Sequence, residues 1–197
     1  MAALSTTLLA LLTGWFIGAR LGGPALPWKV LGILGLPVIA HCIWLLQRAF
    51  RAWAASFVLG AFWGLGMANL ALWPHSKMLG WAAAVAGFAG LMLLDRLYRK
   101  RGAMRLHSAQ TLLTGHYLMG ILAEVSLLLY GIGALKLFLY LRRHRQTEGP
   151  CPLDQVLVRV FLGFVLPLVI LPWSPLAAAL CAATGEWADR REFYRER

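Results

Sequence analysis

The chain has 197 residues, of which 60% are hydrophobic and only 14% are charged, against roughly 25% charged in an average soluble chain. This composition excludes an ordinary soluble domain, and the nine Trp and nine Phe residues exclude a disordered chain, because disordered chains are poor in aromatics. The net charge is +11, but the basic residues lie mostly between apolar runs, where they set topology and meet anionic membrane lipids, so no nucleic-acid partner is expected.

Apolar runs follow one another along the whole chain. A membrane span needs about 20 apolar residues, so this length holds about six to eight spans with short connections. We predict an all-α, polytopic membrane helix bundle with about seven transmembrane helices, forming a single integral membrane domain over residues 1–197. The predicted spans are Ala2–Ala19, Val30–Gln47, Trp53–Trp73, Met78–Leu94, Ser108–Leu141, Leu153–Ile170 and Leu176–Ala188.

The first run is unusual in how it begins, and the fifth is unusual in its length. Ala2–Ala19 begins without a basic segment and has no small-residue cleavage site, which favours a retained span over a cleaved signal. Ser108–Leu141 contains no proline and is predicted as one helix of about 34 residues, near 50 Å long. Such a helix exceeds the ~30 Å hydrocarbon core, so it is expected to tilt or to project from the membrane.

The remaining segments are polar. Connections are predicted near residues 95–107 and 142–152, and residues 189–197 are predicted to form a charged C-terminal tail. With seven spans, eleven basic residues fall on one side of the membrane and eight on the other. The positive-inside rule does not orient a chain with so small a difference.

The cysteines give no metal-binding pattern. Cys42, Cys151 and Cys181 form no CxxC pair, and an iron–sulfur cluster needs about four thiolates. The sequence also lacks an HExxH motif, a P-loop and a GxSxG elbow, which are signatures of common enzyme classes. We therefore expect no metal of its own and no soluble catalytic domain in this chain.

Polar residues inside membrane spans are costly and therefore mark candidate sites. For each, the alternative to a functional role is an interhelical hydrogen bond or, for Lys136, a long side chain that reaches the headgroups. These candidates are His41, Asn69, His116, Glu124, Lys136 and Glu186.

His116, Gly120 and Glu124 are spaced four apart, so on one continuous helix they share a face. Glu124 lies about 16 residues into its predicted helix, near mid-membrane. A His and a Glu two turns apart, beside Tyr117 and with Gly120 admitting a flat ring, suit a quinone headgroup, because quinol oxidation releases two protons that His and Glu accept. Glu124 and His116 are thus the predicted catalytic pair, and the alternative is a packing face with one buried His–Glu pair.

His41 and Arg48 form a second candidate group. Arg48 follows the membrane histidine by seven residues and is placed to anchor a headgroup carbonyl or a partner carboxylate; the alternative is a topological anchor. Because His is the usual axial ligand of b-type haem, His41 and His116 also allow one haem.

The C-terminal stretch carries a family resemblance. Leu171-Pro-Trp-Ser-Pro links two apolar runs, and the second ends in Gly185-Glu186 followed by Arg190 and Phe193-Tyr194. This ending resembles the last helix of the dimethyl sulfoxide reductase membrane anchor family, the DmsC-like group related to the NrfD/polysulfide reductase anchors. The run ending in Asp-Arg-Leu-Tyr98 is similar to the middle of those anchors.

The resemblance covers roughly Met78–Arg197. Arg48-Ala49-Phe50 after His41 is similar to a His-Leu-Gly-x-Pro … Arg-Ala-Phe loop of the family, but the Gly and Pro are absent here and the spacing differs by about one residue. Family anchors typically have eight spans, so this chain looks one span short.

The resemblance implies a membrane subunit of a molybdopterin oxidoreductase of anaerobic respiration in the bacterial cytoplasmic (inner) membrane. It would anchor a ferredoxin-like subunit with 4Fe–4S clusters, which contacts a molybdopterin catalytic subunit, and would pass electrons between these clusters and menaquinone or ubiquinone. On this interpretation, His41, Arg48, Tyr117, Glu186 and Arg190 contribute to the quinone pocket or a partner contact. The alternatives are a one-haem cytochrome b-type subunit of a redox complex and a stand-alone transporter or lipid-handling membrane protein.

Overall fold

The computed structural model describes residues 2–21, 33, 35–36, 39–40, 43, 53–72, 76–97, 110–146 and 153–195. All regular secondary structure in these ranges is helical, which confirms the all-α prediction for this part of the chain. Seven helices are complete enough to name: α1 Ala2–Arg20, α2 Trp53–Ala71, α3 Lys77–Leu97, α4 Gln110–Leu122, α5 over residues 127–146, α6 over residues 153–170, and α7 Pro175–Arg195.

Two of these helices contain π-helical turns. α5 begins as the π-helix Leu127–Ile132 and continues as the α-helix Gly133–Gln146. In α6 the π-helix Phe161–Val165 lies between Leu153–Val160 and Leu166–Ile170. Pro167 has no N–H and so cannot make the α-helical bond to the carbonyl of Gly163, which leaves that carbonyl available to another helix.

The prediction of one long helix over Ser108–Leu141 is wrong. The chain turns back at Glu124, so that α4 and α5 form an antiparallel hairpin. Glu124 has φ of 54°, and the N–H of Val125 donates to Gly120 O at 3.0 Å while that of Glu124 donates to Ile121 O at 3.4 Å. These bonds form a Schellman motif, in which Glu124 takes the left-handed position that glycine usually occupies.

Gly120 explains how closely the two legs of the hairpin approach. A Cβ on Gly120 would lie 2.6 Å from the backbone nitrogen of Leu129. The space beside Gly120, which we expected to admit a flat ring, is therefore filled by the backbone of α5. α4 ends at Leu122, before Glu124, so His116 and Glu124 do not share a helix face.

α1 is the central helix of the bundle. From Thr6 to Gly18 only Leu8 is not fully buried, as expected of a helix surrounded by others. Its glycines allow close packing on α4: a Cβ on Gly14 would lie 2.7 Å from Gly115 O. Small residues at such contacts let helix backbones approach in membrane bundles.

The helix directions follow from the contacts. α1 and α4 run parallel, because Gly14 packs beside Gly115 and Gly18 beside Leu122. Antiparallel pairs are α1 with α3, α2 with α3, α4 with α5, α4 with α7, α5 with α6, and α6 with α7. We call the end where α1, α2, α4 and α6 begin the tail end, and the opposite end, which holds the turn at Glu124, the hairpin end.

By length and composition, two helices in the described ranges are long and apolar enough to cross a membrane, namely Trp53–Ala71 and Lys77–Leu97. Thr111–Leu122 and Val156–Ile170 are shorter apolar helices. The helix predicted to end near Ala188 continues to Arg195, so the segment predicted as a charged tail begins inside α7.

Candidate functional site

Six charged side chains meet inside the bundle, and we call them the charge cluster. Five of them are buried and Asp95 is half-buried. They comprise three cations and three carboxylates, so the fully ionised group has no net charge. The charge cluster consists of Asp95, Lys136, Arg159, Glu186, Asp189 and Arg190.

Glu186 is the centre of the charge cluster and is 0% exposed. Arg159 Nη2 donates to its Oε1 at 2.6 Å. Lys136 Nζ lies 2.9 Å from Oε2, and the Thr114 hydroxyl donates to the same oxygen at 2.8 Å. Three helices, α4, α5 and α6, therefore supply donors to one carboxylate on α7.

Two threonines of α4 extend the network toward the tail end. Arg190 Nη1 donates to the Thr111 hydroxyl at 3.1 Å and Nη2 to the Thr114 hydroxyl at 2.9 Å. Lys136 Nζ also donates to Thr114 at 3.0 Å. Thr114 thus connects Glu186 to Arg190, which stand four positions apart on α7.

Asp95 brings α3 into the same network. Its two carboxylate oxygens accept the backbone N–H groups of Thr111 at 2.9 Å and Leu112 at 2.8 Å. These are N–H groups of the first turn of α4, which have no partner within their own helix, and a carboxylate there also complements the helix dipole. Asp95 lies near enough to Arg190 for an electrostatic interaction.

Arg159 is enclosed by aromatic rings and glycines. Its guanidinium carbon lies 5.4 Å from the Tyr140 ring centroid and 5.1 Å from that of Phe164. Nη1 packs against Gly163, and a Cβ on Gly185 would lie 2.6 Å from Gly163 Cα. The close crossing of α6 and α7 therefore needs both glycines, and it brings Arg159 to Glu186 and, at 3.8 Å, to Asp189.

Two of the guanidinium nitrogens of Arg159, Nε and Nη1, are buried without a hydrogen-bond partner. Buried N–H groups without partners are rare and costly. Nη2, in contrast, makes the short bond to Glu186 described above.

Tyr117 lies one turn beyond Thr114 on α4. It is 1% exposed, its ring centroid is 5.7 Å from that of Phe164, and its hydroxyl donates to Gly163 O at 3.0 Å. This is the carbonyl that Pro167 leaves without an α-helical partner. Tyr117 therefore joins α4 to the π-helical turn of α6 beside Arg159.

Glu186 lies near the middle of α7, whereas Arg190 and Asp95 lie closer to the tail end. Glu186 follows Pro175 by eleven positions, which is about 17 Å along the axis at 1.5 Å per residue. The hydrocarbon core of a bilayer is ~30 Å thick. If α7 spans a bilayer with Pro175 at one surface, Glu186 lies near its middle.

The structure brings together three of the predicted site residues, Tyr117, Glu186 and Arg190, and places Glu124 and His116 outside this group. Glu124 is exposed in the turn at the hairpin end, after the end of α4, and does not lie within one long helix as predicted. His116 is partly exposed, with its ring centroid 4.5 Å from that of Phe88 and its Nδ1 2.9 Å from Leu112 O. His41 and Arg48 lie outside the described residues.

Other members of the charge cluster were missed or misplaced by the sequence analysis. Lys136 is buried in the cluster, so its expected position at the headgroups is wrong. Arg159 is not among the predicted candidates, although it is the seventh residue of the predicted span that begins at Leu153. The signal that would have found it is the one used for Lys136: a charge within an apolar run. Asn69, expected to make a hydrogen bond between helices, donates to Ser76 O at 2.9 Å just before α3.

A second feature is a small apolar groove between α1 and α2. Its lining includes the aromatic side chains of Trp15, Phe16, Phe62 and Trp63. Sites that orient a polar ligand combine apolar walls with a few polar groups. This groove has only apolar lining, so it lacks the groups that would orient a quinone headgroup.

Comparisons with known proteins found no relative of this chain. No protein-family model, no curated protein and no solved structure matches the chain. Within the described residues, no group of three or more His, Cys, Asp or Glu side chains is arranged to hold a metal ion.

Proposed function

We propose that the chain is a multi-pass protein of a bacterial cytoplasmic membrane. The 60% hydrophobic composition supports this, as do the two helices of spanning length. Large apolar side chains also point outward around the bundle, among them Phe57 at 77% and Leu127 at 80% exposure. Soluble monomers rarely expose large apolar patches, whereas lipid covers such side chains in a membrane.

We further propose that the chain is the quinone-reactive membrane anchor of a molybdopterin oxidoreductase of the dimethyl sulfoxide reductase family. Its partners would be a ferredoxin-like subunit with 4Fe–4S clusters and a molybdopterin catalytic subunit. The observation that carries this proposal is the burial of Glu186 and Arg190, the polar pair of the closing motif, at the centre of a network joining five helices. Intramembrane charges of this kind mark functional sites by default.

The energetics of buried ion pairs favour a functional origin for the charge cluster. Replacing a buried ion pair by packed apolar residues is often neutral or stabilising, so six charges are not needed to hold these helices together. A redox site that exchanges protons with a quinol does need carboxylates and hydroxyls within the bundle. Glu186 on α7 and Thr114 and Tyr117 on adjoining turns of α4 provide such groups.

In this proposal the charge cluster accepts a proton from a quinol. Glu186 is the proton-accepting group, and the Thr114 hydroxyl, which donates to it, holds it in place. Asp95 is a second carboxylate of the same network, nearer the tail end, and Arg190 and the threonines lie between the two as hydrogen-bond partners. Arg159 contributes two buried N–H groups that suit a quinone carbonyl oxygen or its reduced hydroxyl. Electrons pass to the iron–sulfur partner, since this chain has no cluster ligands of its own.

The first test is composition. The chain, carrying an affinity tag and expressed with its neighbouring genes, is purified in mild detergent and assayed for molybdenum and iron. We expect both metals in a stable complex with two further subunits. A colourless protein that purifies alone, with full thermal stability, contradicts the anchor proposal, and a Soret absorption band would favour the haem alternative.

The second test separates proton handling from folding. Glu186→Gln alone leaves an extra buried cation, so the charge-balanced variant Glu186→Gln/Lys136→Met is used. It should assemble and retain reduction of the terminal substrate by an artificial soluble donor, while quinol-dependent turnover falls by about 10²-fold or more. Thr184→Ala, an exposed position on the same helix, is the matched control, and unchanged quinol turnover in the double variant would contradict the role of Glu186.

A further inference from the structure

The π-helical turn of α6 sets how the two halves of this helix are rotated relative to each other. The N–H of Leu166 donates to Phe161 O, five residues back, whereas an α-helix bonds to the residue four back. The turn therefore holds one residue more than an α-helix would. Single π-turns within α-helices are frequent at functional sites. The half before this turn, Leu153–Val160, carries Arg159.

Straightening the turn into an α-helix would change the direction in which Arg159 points. If the half after the turn stays in place, the half before it rotates by about 100° and moves about 1.5 Å along the axis. Each residue of that half then takes the place of the residue before it. Val160 would take the place of Arg159 in the charge cluster, and Arg159 would take that of Val158, which is 53% exposed.

The contacts of α6 permit such a rotation. Within the described residues its backbone packs mainly on α7, and the two helices cross at Gly163 and Gly185, where no side chains interlock. In the second register Val156 and Val160, four positions apart, would form an apolar row toward the bundle. Arg159 would lie about 9 Å along the axis from the start of α6, where its long side chain can reach the headgroups.

The observed register has a cost that the second register removes. Arg159 Nε and Nη1 are buried without a hydrogen-bond partner, and burial of such groups is costly. In the second register the guanidinium faces outward, where water or lipid headgroups can bond to these atoms. The cost of the second register is the loss of the charge pair between Arg159 and Glu186. The balance between the two registers therefore depends on the charge of the carboxylates.

The net charge of the charge cluster connects the register to protons. With three cations and three carboxylates, the ionised cluster is neutral in the observed register. Departure of Arg159 would leave a net charge of −1, and an uncompensated buried charge is strongly unfavourable. Uptake of one proton by a carboxylate restores neutrality. Conversely, a proton bound in the observed register gives a net charge of +1, which departure of Arg159 removes.

Glu186 is the carboxylate most directly affected, because Arg159 Nη2 donates to it at 2.6 Å. α1 also packs on α7, but the one charged residue of α1 is Arg20, at the hairpin end. The titratable and charged groups around Glu186 are Tyr117 of α4, Lys136 of α5, Arg159 of α6, and Asp189 and Arg190 of α7.

We propose that α6 is a proton-linked switch with two registers. In the observed register the π-turn is present and Arg159 neutralises Glu186. In the second register the turn is straightened, Arg159 faces outward, and the charge cluster holds one more proton. Neither register involves a quinone, so the switch is independent of the redox role proposed above.

Distances between spin labels test the switch on the purified full chain in lipid nanodiscs. In a background with Cys42→Ala, Cys151→Ala and Cys181→Ala, one label is placed before the turn by Leu157→Cys, and Val85→Cys on α3 provides the reference. The matched control places the first label after the turn by Val169→Cys. Phe57→Cys on α2 is a second reference, so that a displacement across one label pair is seen by the other. All four positions are exposed.

Pulsed electron paramagnetic resonance is recorded over the pH range in which the protein stays folded. A rotation of about 100° moves a side chain 5–6 Å from the helix axis by about 8 Å, so the label at position 157 should show two distances. The ratio of the two populations should change by up to tenfold per pH unit, because the registers differ by one proton. Acidification should favour the second register, while the distances from position 169 stay constant.

A single distance from position 157 at every pH, or a ratio that does not depend on pH, would overturn the switch. Equal displacements of the labels at positions 157 and 169 would show that α6 moves as a whole, which also overturns it.

Variants of the charge cluster and of the turn give a second measurement. Glu186→Gln imitates the protonated carboxyl and should show the second distance at neutral pH, and adding Lys136→Met, which restores neutrality, should return the observed one. Asp189→Asn produces the same net charge and replaces Glu186→Gln if that variant does not fold. Deletion of Leu162 removes the extra residue of the turn and should hold the observed register at every pH. A deletion variant that still shows both distances would contradict the proposed register change.

Discussion

Removing the charge of Glu186 should be among the most damaging single changes in this chain. Glu186→Gln keeps the shape of the side chain but leaves Lys136 and Arg159, both buried, without their shared counter-charge. Breaking a buried ion pair by removing one partner costs about 3–5 kcal/mol. For a chain of this length, about 2–4 °C of melting temperature corresponds to 1 kcal/mol, so we expect a loss of about 6–20 °C.

The measurement is thermal unfolding in detergent, followed by the fluorescence of the nine tryptophans. Adding Lys136→Met to Glu186→Gln restores charge balance, so the double variant should recover about 1–3 kcal/mol, a coupling typical of residues in direct contact. Thr184→Ala should stay within about 0.5 kcal/mol of the wild type. A mild effect of Glu186→Gln, or additive effects of the two substitutions, would refute the reasoning that the cluster is a charge-balanced unit.

Three further changes test the fold around the charge cluster by the same unfolding measurement. Glu124→Gly should stabilise the protein by about 1 kcal/mol, since glycine adopts the left-handed conformation without strain; a loss would show that the Glu124 side chain has a role. Gly120→Ala should cost about 1–3 kcal/mol by forcing the hairpin legs apart, whereas Gly60→Ala, with nothing within 4 Å of the added Cβ, should not destabilise; equal effects would contradict the tight hairpin. Tyr117→Phe should cost about 1 kcal/mol, the value of one hydrogen bond, and no change would indicate that water replaces the hydroxyl.

Composition was sufficient to predict the helical class, and the positions of most helices followed from the apolar runs. The hairpin was not predictable in the same way, because its turn lacks the residues that usually mark the end of a helix. A helix end is commonly marked by glycine in the left-handed position, but here Glu124 occupies it and no proline follows. An uninterrupted apolar run therefore concealed two helices.

The candidate site was predicted in part for a related reason. Glu186 and Arg190 stood out because they are charges in a recognisable motif, and Lys136 stood out by its apolar surroundings. Their common site depends on contacts between residues 72 positions apart, such as Thr114 with Glu186. The rule that intramembrane charges are paired predicts that partners exist. Which residues become partners depends on the directions of the helices. The hairpin between α4 and α5, which was not predicted, reverses the direction of the helices that follow it relative to those before it.

The cap that Asp95 provides has a consequence for how the chain can be handled. α4 receives its first-turn acceptor from the neighbouring helix α3, so its starting point does not depend on the connection 98–109. We therefore expect changes in the length or composition of that connection to leave the register of α4 against the rest of the bundle unchanged. This connection is therefore suited to the insertion of a reporter or to division of the gene into two co-expressed halves. The hydrogen bonds from α4 to Asp95 would align the two halves.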